Sequence, residues 1–264
     1  MSSAQVRRLD PSECEALIRT LGDMPETVIA THQLRHGLCE AYAEVGADHH
    51  DAVILRPSRP SDELVGFGTD AESLCRVLQG LNRWSCVSVE DRIARRLGLI
   101  LEAQLGWHVR YIMDIYHTLE RPVVAVSHPS VQYLTEEDFD LLNTAPPDIR
   151  GACLGFGTFE RLLEAGIVGG AVVDGELVAM ASTWAVSERY ADISVVTAGP
   201  WRGRGLATAS AGLVAVGIQR SGRVPVWSTG EDNLASLRVA RKLGFEEVGR
   251  RTYVDVIALE DDPR

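Results

Sequence analysis

Arg202-Gly203-Arg204-Gly205 has the residue types and spacing to hold a phosphate. The stretch lies between a strand-like run, DISVVT, and a run of small apolar residues that continues as a helix. The first backbone N–H groups of a helix have no partner within it, and the helix dipole favours an anion there. Gly203 and Gly205 let a phosphate approach the backbone, and Arg202 and Arg204 add positive charge. The chemistry this predicts is a pyrophosphate cradle. It is neither of two commoner phosphate loops. No Gly-x-x-x-x-Gly-Lys-Ser/Thr run occurs, and Thr208 stands where a dinucleotide fingerprint needs its third glycine.

The elements that position the cradle can be read on either side of it. Ile193, Val195 and Thr197 alternate with Asp192, Ser194 and Val196, a period-2 pattern rich in β-branched residues. Gly199-Pro200 ends that strand, because proline supplies no ladder donor. Downstream, Val224 to Ser228 reads as a short buried strand and Thr229 to Asn233 as a loop. Leu234 to Leu243 reads as a helix, with Gly244 where a left-handed residue ends it.

Two segments resemble the signatures of the GNAT superfamily of N-acetyltransferases. The turn Arg202-Gly203-Arg204-Gly205-Leu206-Ala207 is similar to its Arg/Gln-x-x-Gly-x-Gly/Ala motif. The run from Asn233 through Ser236 to Leu243-Gly244-Phe245 is similar to its second motif, in the right order and at the right separation. The resemblance narrows to the branch that includes the zwittermicin A resistance acetyltransferase. It implies an α/β fold with a mixed sheet, a GNAT domain at 123–264, and acetyl-CoA as co-substrate without a metal. Backbone amides of Val195, Val196 and Thr197 would pair with the pantetheine arm. Those of Arg202, Gly203, Arg204, Gly205, Leu206, Ala207 and Thr208 would hold the pyrophosphate, and Asn233 and Ser236 would complete the contacts.

The implied reaction is direct attack of a primary amine, belonging to a small metabolite or antibiotic-like molecule, on the thioester. The amine must first lose a proton, so a base or a water chain to one is needed. Asp192, on the cofactor strand, is the first candidate; it is equally readable as an exposed or ion-paired strand-end aspartate. Glu160 and Glu188 are weaker ones. The family often carries a tyrosine seven positions after the signature asparagine, to protonate the leaving thiolate. Here that position is Ala240, a departure that leaves Tyr253 and Ser236 as substitutes, or solvent. It also keeps open another class, a non-catalytic module that binds acyl-CoA or another ligand on the same fold. Asn233 is first of all a helix N-cap.

The chain of 264 residues, 45% hydrophobic and 24% charged, has an ordinary globular composition. A net charge of −11 argues against nucleic acid and anionic membranes, and fits a cationic substrate or simply a solvated acidic surface. Five scattered cysteines without a C-x-x-C pair suggest neither a disulfide framework nor zinc, and the seven histidines show no metal spacing. The N-terminus has no apolar segment of a signal peptide, and no apolar run approaches the roughly 18 residues of a spanning helix. The expectation is a cytoplasmic monomer or homodimer.

Residues 1–122 read as an N-terminal α/β domain, substrate-side or structural, without a cradle. Its element order is open to reading as a degenerate GNAT-like half. Helices are expected from Asp10-Pro11, over His32 to Val45, over 71–81 and over 90–106. Strands are expected at 51–56, 85–89 and 109–119. Arg121-Pro122 is the expected joint, with a strand at Val123 to Val126. Leu134-Thr135 opens a helix, Ile149 to Thr158 is a glycine-rich bend, and a further helix runs through Leu163. Asp174-Gly175 between two apolar runs marks a hairpin.

Overall fold

The computed structural model describes residues 5–45, 52–59, 63–106, 108–123, 126–151 and 154–257. In chain order the elements are β1 (Val6–Arg8), α1 (Pro11–Leu21), α2 (Val28–Arg35), β2 (Cys39–Glu44), β3 (Ala52–Pro57), β4 (Glu63–Gly68), α3 (Ala71–Gln79), β5 (Cys86–Glu90), α4 (Asp91–Leu105) and β6 (His108–Thr118). They continue as β7 (Val131–Leu134), α5 (Phe139–Thr144), α6 (Pro147–Gly151), α7 (Phe159–Ala165), β8 (Val168–Val173), β9 (Glu176–Val186), β10 (Tyr190–Thr197), α8 (Leu206–Arg220), β11 (Val224–Gly230), α9 (Leu234–Leu243) and β12 (Glu246–Ile257). The class is α/β with a mixed sheet, as expected. Two compact units emerge: Met1–Gly22 with Gln33–Ile115 and Arg250–Arg264, and Asp23–His32 with Tyr116–Gly249. The chain changes unit within β6, just before Arg121-Pro122. It also lends residues 23–32 to the second unit and the end of β12 to the first, which a single joint does not anticipate.

In the first unit the strands run β1-β2-β3-β4-β5, with β12 beside β5. The first three contacts are antiparallel and β4 to β5 is parallel. α3 and α4 cover this sheet with Leu74, Val77, Leu78, Leu97 and Leu101 against Ile54, Leu64 and Val87. α1 begins as read. Asp10 accepts from the Glu13 amide while the Glu13 carboxylate accepts from the Asp10 amide, a reciprocal cap, with Pro11 following. The helix expected over His32 to Val45 is corrected. α2 ends at Arg35, Gly37 turns at a φ of 64°, and Cys39–Glu44 is β2, with Cys39, Ala41 and Ala43 buried in alternation. β1, β4 and β7 are three further strands that the sequence reading did not mark. Of the expected strand at Val123 to Val126, residues 124–125 lie outside the described residues, and Val123 and Val126 are in no strand. His49, His50 and Cys153 also lie outside them.

The second unit repeats the plan: β7-β8-β9-β10-β11, three antiparallel contacts and then a parallel one, with the last residues of β6 beside β11. α8 and α9 pack on one face through Ala211, Val214, Ile218, Ala240 and Leu243 against Ala181, Ile193 and Trp227. α5, α6 and α7 cover the other face through Leu142, Ile149 and Leu162 against Val168 and Met180. The hairpin forms as expected, with Asp174 and Gly175 at φ 52° and 80° joining β8 to β9.

His32 anchors α2 in this unit. Its Nδ1 accepts from the Val186 amide at 3.3 Å, so the ring proton sits on Nε2 and is donated to the Gly155 carbonyl at 3.2 Å. The ring is 1% exposed and meets Phe156 edge-on. Replacement His32→Leu leaves an amide and a carbonyl without that partner, and is expected to cost about 3 kcal/mol of stability. A thermal melt reads this directly; an unchanged midpoint would refute the anchoring role.

Candidate active site

The second unit's sheet opens where its one parallel ladder stops. β10 pairs with β11 at Tyr190/Val224, Ala191/Pro225 and Asp192/Val226, and no further. From Ile193 to Thr197, β10 keeps its partners on β9 only. A bulge opposite Asp192/Ile193, where Trp184 is the extra residue on β9, coincides with the parting. Bulges bend and twist a strand, which is the local device needed to lead β10 away from β11. The edge of β10 from Ile193 onward therefore offers backbone groups with no ladder partner, the kind an extended ligand can pair with.

That edge runs into the cradle. Gly199 to Trp201 form a 3-10 turn, and α8 starts after Gly205. Gly203 and Gly205 adopt φ of 79° and 83°, the left-handed region that side chains disfavour, and a Cβ at either would meet only open space. Gly205 is the N-cap and supplies no side chain, so the first amides of α8 stay free of any protein carboxylate or hydroxyl cap. Arg202 is tied back by donating from Nε to the Thr197 carbonyl at 3.1 Å. The Arg204 guanidinium lies over the Trp201 ring at 4.5 Å.

A cavity of about 680 Å³ joins these parts. Of the residues expected to hold the cofactor, Val195, Val196, Thr197, Arg202, Gly203, Leu206, Ala207, Thr208, Asn233 and Ser236 line it. Arg204 and Gly205 do not. Arg204 is turned over Trp201, and Gly205 is the N-cap of α8. The cavity also takes in Trp201, Ala235, Arg238, Val239 and Lys242, which sequence reading did not assign to the site. The spacing of Ala235, Arg238 and Lys242 on one helical face was the available signal.

α9 is fastened beside the cavity by Asn233 and Ser236. Asn233 Oδ1 accepts from the Ser236 amide at 3.1 Å, the N-cap bond expected of it. The buried Trp227 indole donates to Ser236 Oγ at 2.9 Å, which leaves the serine its own proton to donate. Ala240 faces the core, packed with Trp227 and Phe245.

Asp192 stands at the apex of the opening, 3% exposed. It is three residues from the cavity-lining Val195, about 10 Å along the strand. Its Oδ1 accepts from Ser228 Oγ at 3.3 Å. Ser228, on β11, is a partner that only the register reveals. Glu160 lies in the first turn of α7, where its own amide and the Thr158 hydroxyl hold its carboxyl below the usual range. Glu188 is exposed on the β9–β10 loop. Tyr253 is not brought to this cavity. It lies on the part of β12 in the first unit, across from Ser88, and burial with Asp114 nearby pushes its hydroxyl above the ordinary tyrosine range. Burial likewise pushes the Cys39 and Cys86 thiols up to about 12, so neither supplies a thiolate nucleophile. No group of metal-ligating side chains occurs among the described residues.

The corresponding place in the first unit is built shut. β4 and β5 also pair in parallel and stop at Val65/Ser88. The Arg251 guanidinium fills the gap beyond, donating to the Gly66 carbonyl at 2.8 Å and to the Ser88 carbonyl and hydroxyl at 2.9 and 3.1 Å. It also stacks on Phe67. Where α8 has a bare glycine, α3 has Asp70, whose carboxylate accepts from the Ser73 amide at 2.8 Å. An anion is thus already present at that helix start.

Residues 127–253 match the family model for GNAT acetyltransferases. The matched stretch contains the opened β10 edge and the uncapped start of α8. Solved structures extend the fold likeness to nearly the whole chain. A GCN5-related N-acetyltransferase-like protein from Streptococcus suis is 21% identical with a TM-score of 0.68, over 93% of this chain and 99% of its own. A GNAT-family acetyltransferase from Colwellia psychrerythraea is 13% identical with a TM-score of 0.62, over 96% and 100%. A tandem GNAT protein from the clavulanic acid biosynthesis pathway, solved without acetyl-CoA, is 14% identical with a TM-score of 0.58, over 97% and 99%. No curated protein matches the sequence. No helix among the described residues is long and apolar enough to cross a membrane.

Proposed function

We propose that the second unit moves an acetyl group from acetyl-CoA to a primary amine of a small molecule by direct attack. The observation that carries this reading is the parallel ladder that ends at Asp192/Val226 and leaves an edge leading to the uncapped start of α8. The residues present fit the carrier. Backbone groups of Val195 to Thr197 would pair with its amide-bearing arm, and Gly203 with the first amides of α8 would take the pyrophosphate. Bound there, acetyl-CoA supplies an acetyl thioester. Asp192, at the apex, accepts the proton an ammonium must shed, through water across the distance to the cavity. The amine nitrogen then bonds to the acetyl carbon as the carbon–sulfur bond breaks, and the second proton that the nitrogen sheds ends on the departing thiolate as a thiol. Ser236, with its oxygen engaged by Trp227, donates a hydrogen bond to the departing thiolate.

A buried carboxylate at the apex favours a cationic acceptor, which fits an amine of a metabolite or of an antibiotic-like aminopolyol. The first half of the chain would serve on the substrate side or structurally, with the catalytic work at 123–264, in a cytoplasmic monomer or homodimer. The deciding experiment mixes the protein with acetyl-CoA and a panel of primary amines and follows thiol release. Release that depends on one class of amine is the expected result. Acetyl-CoA binding without amine-dependent release would instead favour the non-catalytic module, the reading that the buried Ala240 at the tyrosine position supports.

A further inference from the structure

A second cavity of the same unit, about 470 Å³, lies at the other end of α8 from the glycine turn, roughly 22 Å along the helix axis. It shares no lining residue with the cavity beside α8 and α9. Its apolar lining is Leu119, Pro122 and Val224, and its charged groups are Arg189, Arg223 and Glu120. The walls are tied in place. Gln219, in the last turn of α8, donates from Nε2 to the Leu119 and Arg121 carbonyls at 3.0 and 2.7 Å. Its Oε1 accepts from the Val123 amide at 3.2 Å, so the segment 119–123 is fastened to the helix. After the helix Gly222 turns at a φ of 80°, and Arg223 follows. Arg223 donates from Nε to the Ser187 carbonyl at 2.9 Å and from Nη1 to Ser221 Oγ at 3.3 Å.

Those two bonds orient the half-buried Arg223 guanidinium. They leave one N–H of Nη1 and both of Nη2 without a protein partner among the described residues. A guanidinium held in this way presents a two-pronged donor edge, the match of a carboxylate. Glu120 brings the opposite charge, with Oε1 3.6 Å from Arg189 Nη2. That separation is too long for a hydrogen bond, so the Glu120 carboxylate keeps its capacity to accept from another cation. Arg189 is placed by its amide, which donates to Asp23 Oδ2 at 2.9 Å, and by its guanidinium lying over the Tyr190 ring at 5.1 Å. A simple anion would meet Glu120 here, and a simple amine would meet two arginines. A small zwitterion satisfies both signs at once.

We propose that this cavity binds a free α-amino acid with an apolar side chain, at a site separate from the cofactor cavity. The carboxylate takes the open edge of Arg223, the ammonium donates to Glu120, and the side chain lies on Leu119, Pro122 and Val224. The ligand sits against the closed end of the β10–β11 ladder, where the Val224 amide donates to the Arg189 carbonyl at 2.8 Å.

The test is titration calorimetry of the whole chain with L-leucine, with isocaproate, which lacks its ammonium, and with isopentylamine, which lacks its carboxylate. L-Leucine is expected to bind with a dissociation constant on the order of a millimolar. Isocaproate should bind about threefold more weakly, since Glu120 is exposed, and isopentylamine about tenfold or more. Arg223→Gln should weaken L-leucine by about tenfold. Glu120→Gln should weaken it by about threefold and leave isocaproate unchanged. A thermal melt shows that each variant folds, and Glu120→Gln, at an exposed position, carries the test if Arg223→Gln does not. No saturable L-leucine binding by the native protein overturns the site, as does isopentylamine binding as tightly as L-leucine. Native-like L-leucine affinity in the folded variants overturns it too, because that binding lies elsewhere, as it would for an acetyl acceptor at Asp192.

Discussion

Gly205→Asp abolishes acetyl-CoA binding in the expected outcome, with affinity weakened by about a hundredfold or more. Two causes act together. The carboxylate lands at the amides that should face the pyrophosphate, where it adds repulsion and offers those amides an internal acceptor. Losing two charge-assisted hydrogen bonds is worth roughly 3 kcal/mol or more, the equivalent of that factor. The φ of 83° at this position costs an aspartate less than most residues, so the helix itself should persist. At the start of α3 an N-cap carboxylate, Asp70, takes the Ser73 amide from an extended backbone, whereas position 205 is left-handed. Titration calorimetry on the folded variant gives the answer. Affinity equal to the native value would remove the cradle from the site.

Asp192→Asn should leave acetyl-CoA binding intact and lower kcat by about a hundred- to a thousandfold, the usual span for removing a positioned base. The amide keeps the shape of the carboxylate and can still accept from Ser228, which separates chemistry from packing. The native pH–rate profile should fall on its acidic side as the base is protonated, and the variant should lose that limb. A purely structural aspartate would behave otherwise: the variant would melt earlier, with kcat and its pH profile unchanged. That result would sink the assignment.

Much of the site was legible because its signals are local. Glycines at positive φ, a strand broken by Gly199-Pro200 and an N-cap asparagine each act within a few residues, and the cavity gathers most of them. What sequence reading missed depends on contacts between strands. Ser228 meets Asp192 only because of the β10–β11 register, and Trp184 becomes an extra residue only against β10. Tyr253 is instructive in the same way. Its position after Phe245 placed it near the last helix, whereas the course of β12 carries it to the first unit. β2 was hidden by composition. In CEAYAE the alanines and glutamates are good helix formers, and burial of Cys39, Ala41 and Ala43 on one face overrides that preference. β4, with glycines at 66 and 68, has Val65 as its one β-branched residue, too few to mark a strand.

Arg251 reaches the gap in the first unit from β12, far along the chain from β4 and β5. As the chain leaves the ribosome, β1 to β5 and their helices emerge more than a hundred residues before β12. Until then the parallel pair β4 and β5 has an unfilled opening, and the carbonyls of Gly66 and Ser88 lack the guanidinium that later joins them. The first unit is therefore incomplete until β12 is made, and β12 is both a sheet partner of β5 and the stopper of the gap. A chain cut off before residue 250 would retain every residue that lines the cavity beside α8 and α9 and still leave the gap of the first unit unsealed.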